Sequence, residues 1–140
     1  MENILISGVC GRIGSAACEL LVQNKYANIV GLDIAPTLPT NIIQLKSKIT
    51  FYHGSLTDYE LLLKILKDEN ISIIVHLAAV PDDAEPSILL PPNVTGVALV
   101  LKAVAAINTK NQIKRLIIAS SGKLYCGYNS VTTPLKIDAP

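Results

Sequence analysis

Apolar residues in this chain fall into short continuous runs separated by stretches of helical spacing. Ile4-Leu5-Ile6 ends at Ser7-Gly8 and reads as a buried strand. From Arg12 to Gln23 the positions Ile13, Ala16, Ala17, Leu20 and Leu21 recur at helical intervals, and Asn24-Lys25 marks a stop. Ile29 to Asp33 is the second strand, Pro36 to Pro39 a proline-rich loop, and Ile49 to His53 a shorter third strand. Thr57-Asp58-Tyr59-Glu60 has the form of a capping box, with Thr57 as cap of a helix carrying Leu61, Leu62, Ile65 and Leu66. Ile71 to Leu77 is the fourth strand and Val94 to Ile107 a third helix, where Gly96 allows close packing. Arg115 to Ala119 is the fifth strand, ending at Ser120-Ser121-Gly122, and after Tyr125 the periodicity fades into a loop. Aliphatic strands alternating with helices predict an α/β, doubly wound parallel sheet with helices on both faces. The expected strand order is 3-2-1-4-5, with a ligand crevice between strands 1 and 4 where the order reverses.

Composition narrows the picture. The 140 residues allow one domain, and 50% of them are hydrophobic while only 4% are aromatic. Aliphatic strands buried on both faces have that character. Twelve basic and 11 acidic residues leave a net charge of +1 with no basic stripe, so no nucleic-acid partner is expected. The uncharged stretch Pro86–Leu101 is shorter than the ~20 residues of a membrane span and is interrupted by Pro91-Pro92, so no membrane association is expected. Met1-Glu2-Asn3 has no basic start of a signal peptide. Three cysteines, Cys10, Cys18 and Cys126, share no metal spacing; no metal and a reducing, cytoplasmic compartment follow.

The candidate chemistry sits at the first turn. Gly8, Gly11 and Gly14 join strand 1 to the first helix. At such a turn the first glycine permits the bend, the second lets backbone touch a pyrophosphate, and the third lets helix lie on strand. The free amides of the helix start then hold the anion. Asp33 follows Gly14 at about the 20-residue spacing of a carboxylate that binds ribose hydroxyls. A 2′-phosphate would meet that carboxylate, and Ile34-Ala35 supplies no cation, so NAD is favoured over NADP. Arg12, beside the loop, can swing toward a phosphate and weakens that preference a little.

These residues resemble the extended short-chain dehydrogenase/reductases, the NAD-dependent epimerase/dehydratase group. The glycine spacing matches that family's Gly-x-x-Gly-x-x-Gly, and His76-Leu77-Ala78-Ala79 resembles its strand-4 motif. Gly54-Ser55-Leu56-Thr57-Asp58 is similar to its Gly-Asp-Leu-x-Asp segment beside the adenine. Asn93-Val94-x-Gly96 and Ala119-Ser120-Ser121-Gly122-Lys123-Leu124-Tyr125 resemble its helix start and its serine-bearing fifth strand. The resemblance implies a Rossmann-type NAD(P)-binding domain over residues 1–126, a loop or tail over 127–140, and no C-terminal substrate domain. The cofactor residues it implies are Gly8, Gly11, Arg12, Ile13, Gly14, Asp33, Ser55, Leu56, Leu77, Ala78, Ala79 and Asn93, with Ser121 as the catalytic serine. It further implies a sugar or nucleotide-sugar substrate and hydride transfer at a carbinol.

Two departures stand out. Ser55 replaces the usual Asp, so the adenine amino group loses a charged acceptor. The family's Tyr-x-x-x-Lys pair has no counterpart: the positions four after Tyr26, Tyr52, Tyr59, Tyr125 and Tyr128 are Val30, Leu56, Leu63, Asn129 and Thr132. A serine without its acid/base partner is a weak catalyst. The reading is therefore a catalytically incomplete NAD-binding domain, with truncation of an ancestral enzyme ranked first and a non-catalytic dinucleotide sensor as the alternative. The missing next helix and strand would leave Leu116 and Ile118 uncovered and one edge of strand 5 open, to be closed by the terminal loop or by a homo- or hetero-oligomer. Among the remaining residues, His76 reads as a packing residue rather than a base, and Cys18 as core. Cys10, in a loop where thiolate is favoured, reads as a small filler ahead of a redox switch. Lys123 reads as a solvated loop lysine, Tyr125 as a cleft or packing residue, and Asp82, Asp83 and Glu85 as a solvated acidic loop.

Overall fold

The computed structural model describes residues 1–80, 83–108 and 112–121. Lys123, Tyr125, Cys126, Asp82 and the tail 127–140 lie outside the described residues. Five strands form one sheet: β1 (Glu2–Ser7), β2 (Ala27–Asp33), β3 (Ile49–His53), β4 (Ile73–His76) and β5 (Arg115–Ile118). Their order is β3-β2-β1-β4-β5 and every pairing is parallel, as the alternation of strands and helices predicts. The register sets Ser7 beside Leu32 on one side and His76 on the other, so the switch point opens at the carboxyl ends of β1 and β4.

Because successive strand residues face opposite ways, the sheet feeds two cores. Leu5, Val30, Leu32 and Ile74 meet Leu62, Ile65 and Leu66 of α2 (Tyr59–Asp68) and Val100 and Ala103 of α4 (Val97–Ile107). Ile4, Ile6 and Ile29 meet Cys18 and Val22 of α1 (Arg12–Gln23), with Leu38 and Ile42 from the loop after β2. Leu38 and Ile42 anchor a 3-10 turn, Ile43–Lys48, that carried no periodic signal. Each fully buried aliphatic side chain contributes about 1.5–3 kcal/mol to these layers.

Four local expectations are corrected. The inner face of α1 is Gly14, Ser15, Cys18 and Val22, while Ile13 and Leu20 stay 69% and 59% exposed. The seating of Gly14 on the preceding turn rotates the helix away from the apolar stripe that its spacing suggested. Asp58, not Thr57, caps α2: its carboxylate accepts the Leu61 amide at 3.0 Å, while the Thr57 amide donates to Ser55 Oγ. The third helical segment begins earlier than Val94, with α3 (Pro86–Leu90) running through a π-type stretch, Pro91–Gly96, into α4. The wider π turn accepts the two prolines, which have no amide hydrogen to donate. The whole of Pro86–Ile107 is by length and composition alone apolar enough to cross a membrane. Its inner residues Gly96, Val100 and Ala103 pack inward, whereas Leu90, Val94 and Leu101 are exposed. At β5, Leu116 is packed on the α2/α4 core; the uncovered pair is Ile117 and Ile118, at 51% and 40% exposure.

Candidate functional site

Each glycine of the first turn has a separate job. Gly8 has φ +76°, and a Cβ there would lie 2.7 Å from the Ala78 backbone, so only glycine lets β1 turn against the end of β4. A Cβ on Gly14 would meet the Gly8 carbonyl oxygen at 2.0 Å, so this position must be bare for α1 to start where it does. Gly11 differs: its one close contact would be that carbonyl at 3.2 Å, and otherwise it faces open space. That open, exposed backbone is what a diphosphate needs to approach the helix start. Arg12 and Ile13, the first residues of α1, stand exposed beside it.

Asp33 closes β2 directly across this turn. Its Oδ2 accepts the Cys10 amide at 2.8 Å and its Oδ1 accepts the Ala35 amide at 3.0 Å. Two backbone donors fix the carboxylate, and each oxygen keeps lone-pair capacity for a sugar hydroxyl. A cleft of about 350 Å³ runs from Gly8 and Gly11 past Asp33 to Ser55, Leu56, Leu77, Ala78 and Ala79. No Lys or Arg lines it among the described residues. His53, next to it, has its Nε2 within 3.0 Å of the Ile34 carbonyl. Sequence reasoning missed the Cys10 amide, which the fold brings to Asp33, and Val80 and Pro92, which it brings to the wall of this cleft.

Ser55 joins the cleft but its hydroxyl is already engaged, 2.8 Å from Thr57 Oγ1 and accepting the Thr57 amide at 3.1 Å. Cys10 is corrected as a thiolate candidate. Burial, then the Asp33 carboxylate, push its thiol up to about 11, and the thiol donates to the Thr37 carbonyl at 3.6 Å. Cys18 is fully buried, as expected of a core residue.

A second cleft of about 490 Å³ shares Leu77, Ala78, Ala79 and Val80 with the first and continues to Ser120 and Ser121. Asn93 lines it and clamps the loop after β4, accepting the Val80 amide and donating to the Val80 carbonyl, both at 2.8 Å. His76 is 3% exposed and its Nδ1 lies 2.7 Å from Ser7 Oγ; burial holds the imidazole below its ordinary pKa. A packed ring is what the sequence suggested. A larger hollow near Lys25, Asn28 and Lys48 lies at the opposite ends of β2 and β3 and shares no residue with either cleft. Among the described residues no group of His, Cys, Asp and Glu converges to hold a metal.

A bare helix-start loop, a carboxylate held across it by two backbone amides and a crevice at the switch point define a dinucleotide-binding α/β domain. The sequence model of the NAD dependent epimerase/dehydratase family matches residues 4–138, and the chain belongs to that family. The UDP-glucose 4-epimerase of Lactobacillus helveticus is 34% identical over 127 residues, covering 88% of this chain and 36% of that protein. The UDP-glucuronate 4-epimerase of Thermodesulfobacterium geofontis is 28% identical, covering 100% and 46%. Among solved structures, the Bordetella bronchiseptica enzyme WbmH in complex with NAD+ superposes with a TM-score of 0.81 at 28% identity, covering 100% of this chain and 46% of that one. The UDP-glucose 4-epimerase of Thermotoga maritima with UDP-glucose gives 0.77 at 25%, covering 95% and 42%. The chain thus spans under half the length of these relatives.

Proposed function

We propose that this chain seats NAD across its two clefts and works on a nucleotide-sugar carbinol as the cofactor half of an epimerase or sugar dehydrogenase. The observation that carries the reading is Asp33, held by two backbone amides beside the open backbone of Gly11, with no lysine or arginine lining the cleft among the described residues. In this reading the α1 start receives the diphosphate, Asp33 accepts from the adenosine ribose, and Leu56 and Ala78 flank the adenine. NAD when bound supplies a hydride acceptor at C4 of its nicotinamide. Ser121, in the second cleft, is assigned to hydrogen-bond the substrate oxygen. Support for NAD and for a nucleotide sugar comes from relatives whose structures hold NAD+ or UDP-glucose.

Proton removal from the carbinol needs a base that the 140 residues do not supply in the family's form, since no tyrosine is followed by lysine four positions on. We therefore assign cofactor binding, not turnover, to these residues alone. A second reading is a dinucleotide sensor that presents the open face of β5, with Ile117 and Ile118 exposed, to a protein partner. A reducing cytoplasmic setting is part of the proposal, in keeping with the free thiols of Cys10 and Cys18. Titration calorimetry with NAD and ADP, alongside NADH formation from UDP-glucose, tests it. Binding of both ligands without turnover is expected. Failure to bind either refutes the proposal, and rapid turnover refutes the assignment of catalysis elsewhere.

A further inference from the structure

Ser7 ends β1, His76 ends β4, and the parallel register makes them direct neighbours on one face of the sheet. Both are buried, and Ser7 Oγ lies 2.7 Å from His76 Nδ1. Hydrogen-bond satisfaction decides which atom carries the proton. The Ser7 hydroxyl has no other partner among the described residues. Were Nδ1 protonated, the hydroxyl hydrogen would be buried with no acceptor, at the full desolvation penalty. When the hydroxyl donates to Nδ1, nothing is stranded, and a neutral ring then carries its proton on Nε2.

Nε2 has no partner within the described residues, yet no buried side-chain polar atom there is left unsatisfied. Nε2 is thus not sealed off, and the cavity that His76 lines, with Ala78, Asn93 and Ser121, is the second cleft, which carries no charged side chain among the described residues. Because the two clefts share the Leu77–Val80 wall, a dinucleotide anchored at Gly11 and Asp33 would extend its other half along that wall into the cleft that His76 lines. We propose that His76, fixed as the Nε2–H tautomer by Ser7, is a neutral hydrogen-bond donor to an acceptor oxygen of the nicotinamide-ribose half of the dinucleotide, with Ser7 as its positioning residue. The inference rests on the NAD reading above.

The test titrates the 140-residue chain and its His76→Phe, His76→Gln and Ser7→Ala variants with NAD and with ADP, which lacks the nicotinamide half. Nitrogen-resolved NMR of the imidazole is recorded in parallel. Expected are a proton on Nε2 in the wild type, an Nε2–H signal that moves with NAD but not ADP, and a mixture of tautomers in Ser7→Ala. His76→Phe should weaken NAD by about three- to tenfold, the scale of one neutral hydrogen bond, and leave ADP unchanged. His76→Gln, whose amide reaches a similar place, should retain NAD affinity. A proton on Nδ1, equal loss of NAD and ADP, or no loss of either in His76→Phe overturns the assignment. Should His76→Phe fail to fold, an Nε2–H signal indifferent to NAD overturns it equally. ADP binding that survives such a result keeps the dinucleotide reading intact, whereas a wild-type chain that binds neither ligand sinks both.

Discussion

Replacing Gly14 and Gly11 by alanine separates architecture from ligand contact. The methyl group of Gly14→Ala would sit 2.0 Å from the Gly8 carbonyl oxygen and 2.9 Å from the Gly8 carbonyl carbon and the Val9 Cα, all backbone atoms. Relief requires α1 to back away from the turn by roughly 1 Å, against a close-packed interior that resists such shifts. Overpacking of this kind costs about 3 kcal/mol or more, out of the ~5–15 kcal/mol that holds a domain of this size. Gly11→Ala adds a methyl at 3.2 Å from the Gly8 carbonyl oxygen and otherwise in open space, a contact relieved by a shift of a few tenths of an ångström, so its cost should stay at or below ~1 kcal/mol. Its methyl instead occupies the surface where a diphosphate approaches. Urea titrations should show a large fall in midpoint at constant slope for Gly14→Ala and a small one for Gly11→Ala. Calorimetry should show NAD affinity falling by at least tenfold in the stable Gly11→Ala chain. Equal destabilisation by the two, or undiminished NAD affinity in Gly11→Ala, refutes the division of labour.

Three further outcomes follow from the site. Cys10, its thiol pushed up to about 11 by burial and by Asp33, should alkylate with iodoacetamide more slowly at pH 7.5 than a free thiol does, and the rate should keep rising with pH past 9; an early plateau contradicts this. His76 has a folded-state pKa below its ordinary 6.5, so the unfolded chain binds the proton first; stability should be flat well above pH 6.5 and fall as pH drops through it, and His76→Gln should flatten that slope in urea midpoints measured from pH 8 to 5. Asn93→Ala removes both clamps on Val80 and should cost about 1–3 kcal/mol while raising hydrogen exchange over the loop after β4; unchanged exchange there speaks against the clamp.

What was legible in the chain follows from how local each signal is. Continuous aliphatic runs such as Ile4–Ile6 and Ile29–Asp33 identify strands by themselves, and alternation with helices leaves few topologies, so the sheet order was readable. The glycine turn and Asp33 were readable because their spacing is set by one strand-helix-strand unit. Facts that depend on distant partners were not. The state of the Cys10 thiol is governed by burial and by Asp33, brought alongside only when β2 pairs with β1. The Ser7–His76 bond joins the ends of β1 and β4, and neither residue signals the other. The cap of α2 was displaced by one residue because Thr57 and Asp58 are both capable caps and only geometry selects between them. Pro91-Pro92 hid the start of the long helical segment, since prolines argue for a break that the π turn avoids.

The central claim, that the first turn and Asp33 seat a dinucleotide by its adenosine diphosphate half, is met most directly by the ratio of NAD to NADP affinity in the wild-type chain and in Asp33→Asn. A carboxylate fixed by the Cys10 and Ala35 amides should repel a 2′-phosphate, giving NAD at least about tenfold the affinity of NADP, and neutralising it should collapse that ratio toward one with weaker NAD binding. Equal affinities in the wild type, or a ratio that Asp33→Asn leaves untouched, would contradict the claim outright.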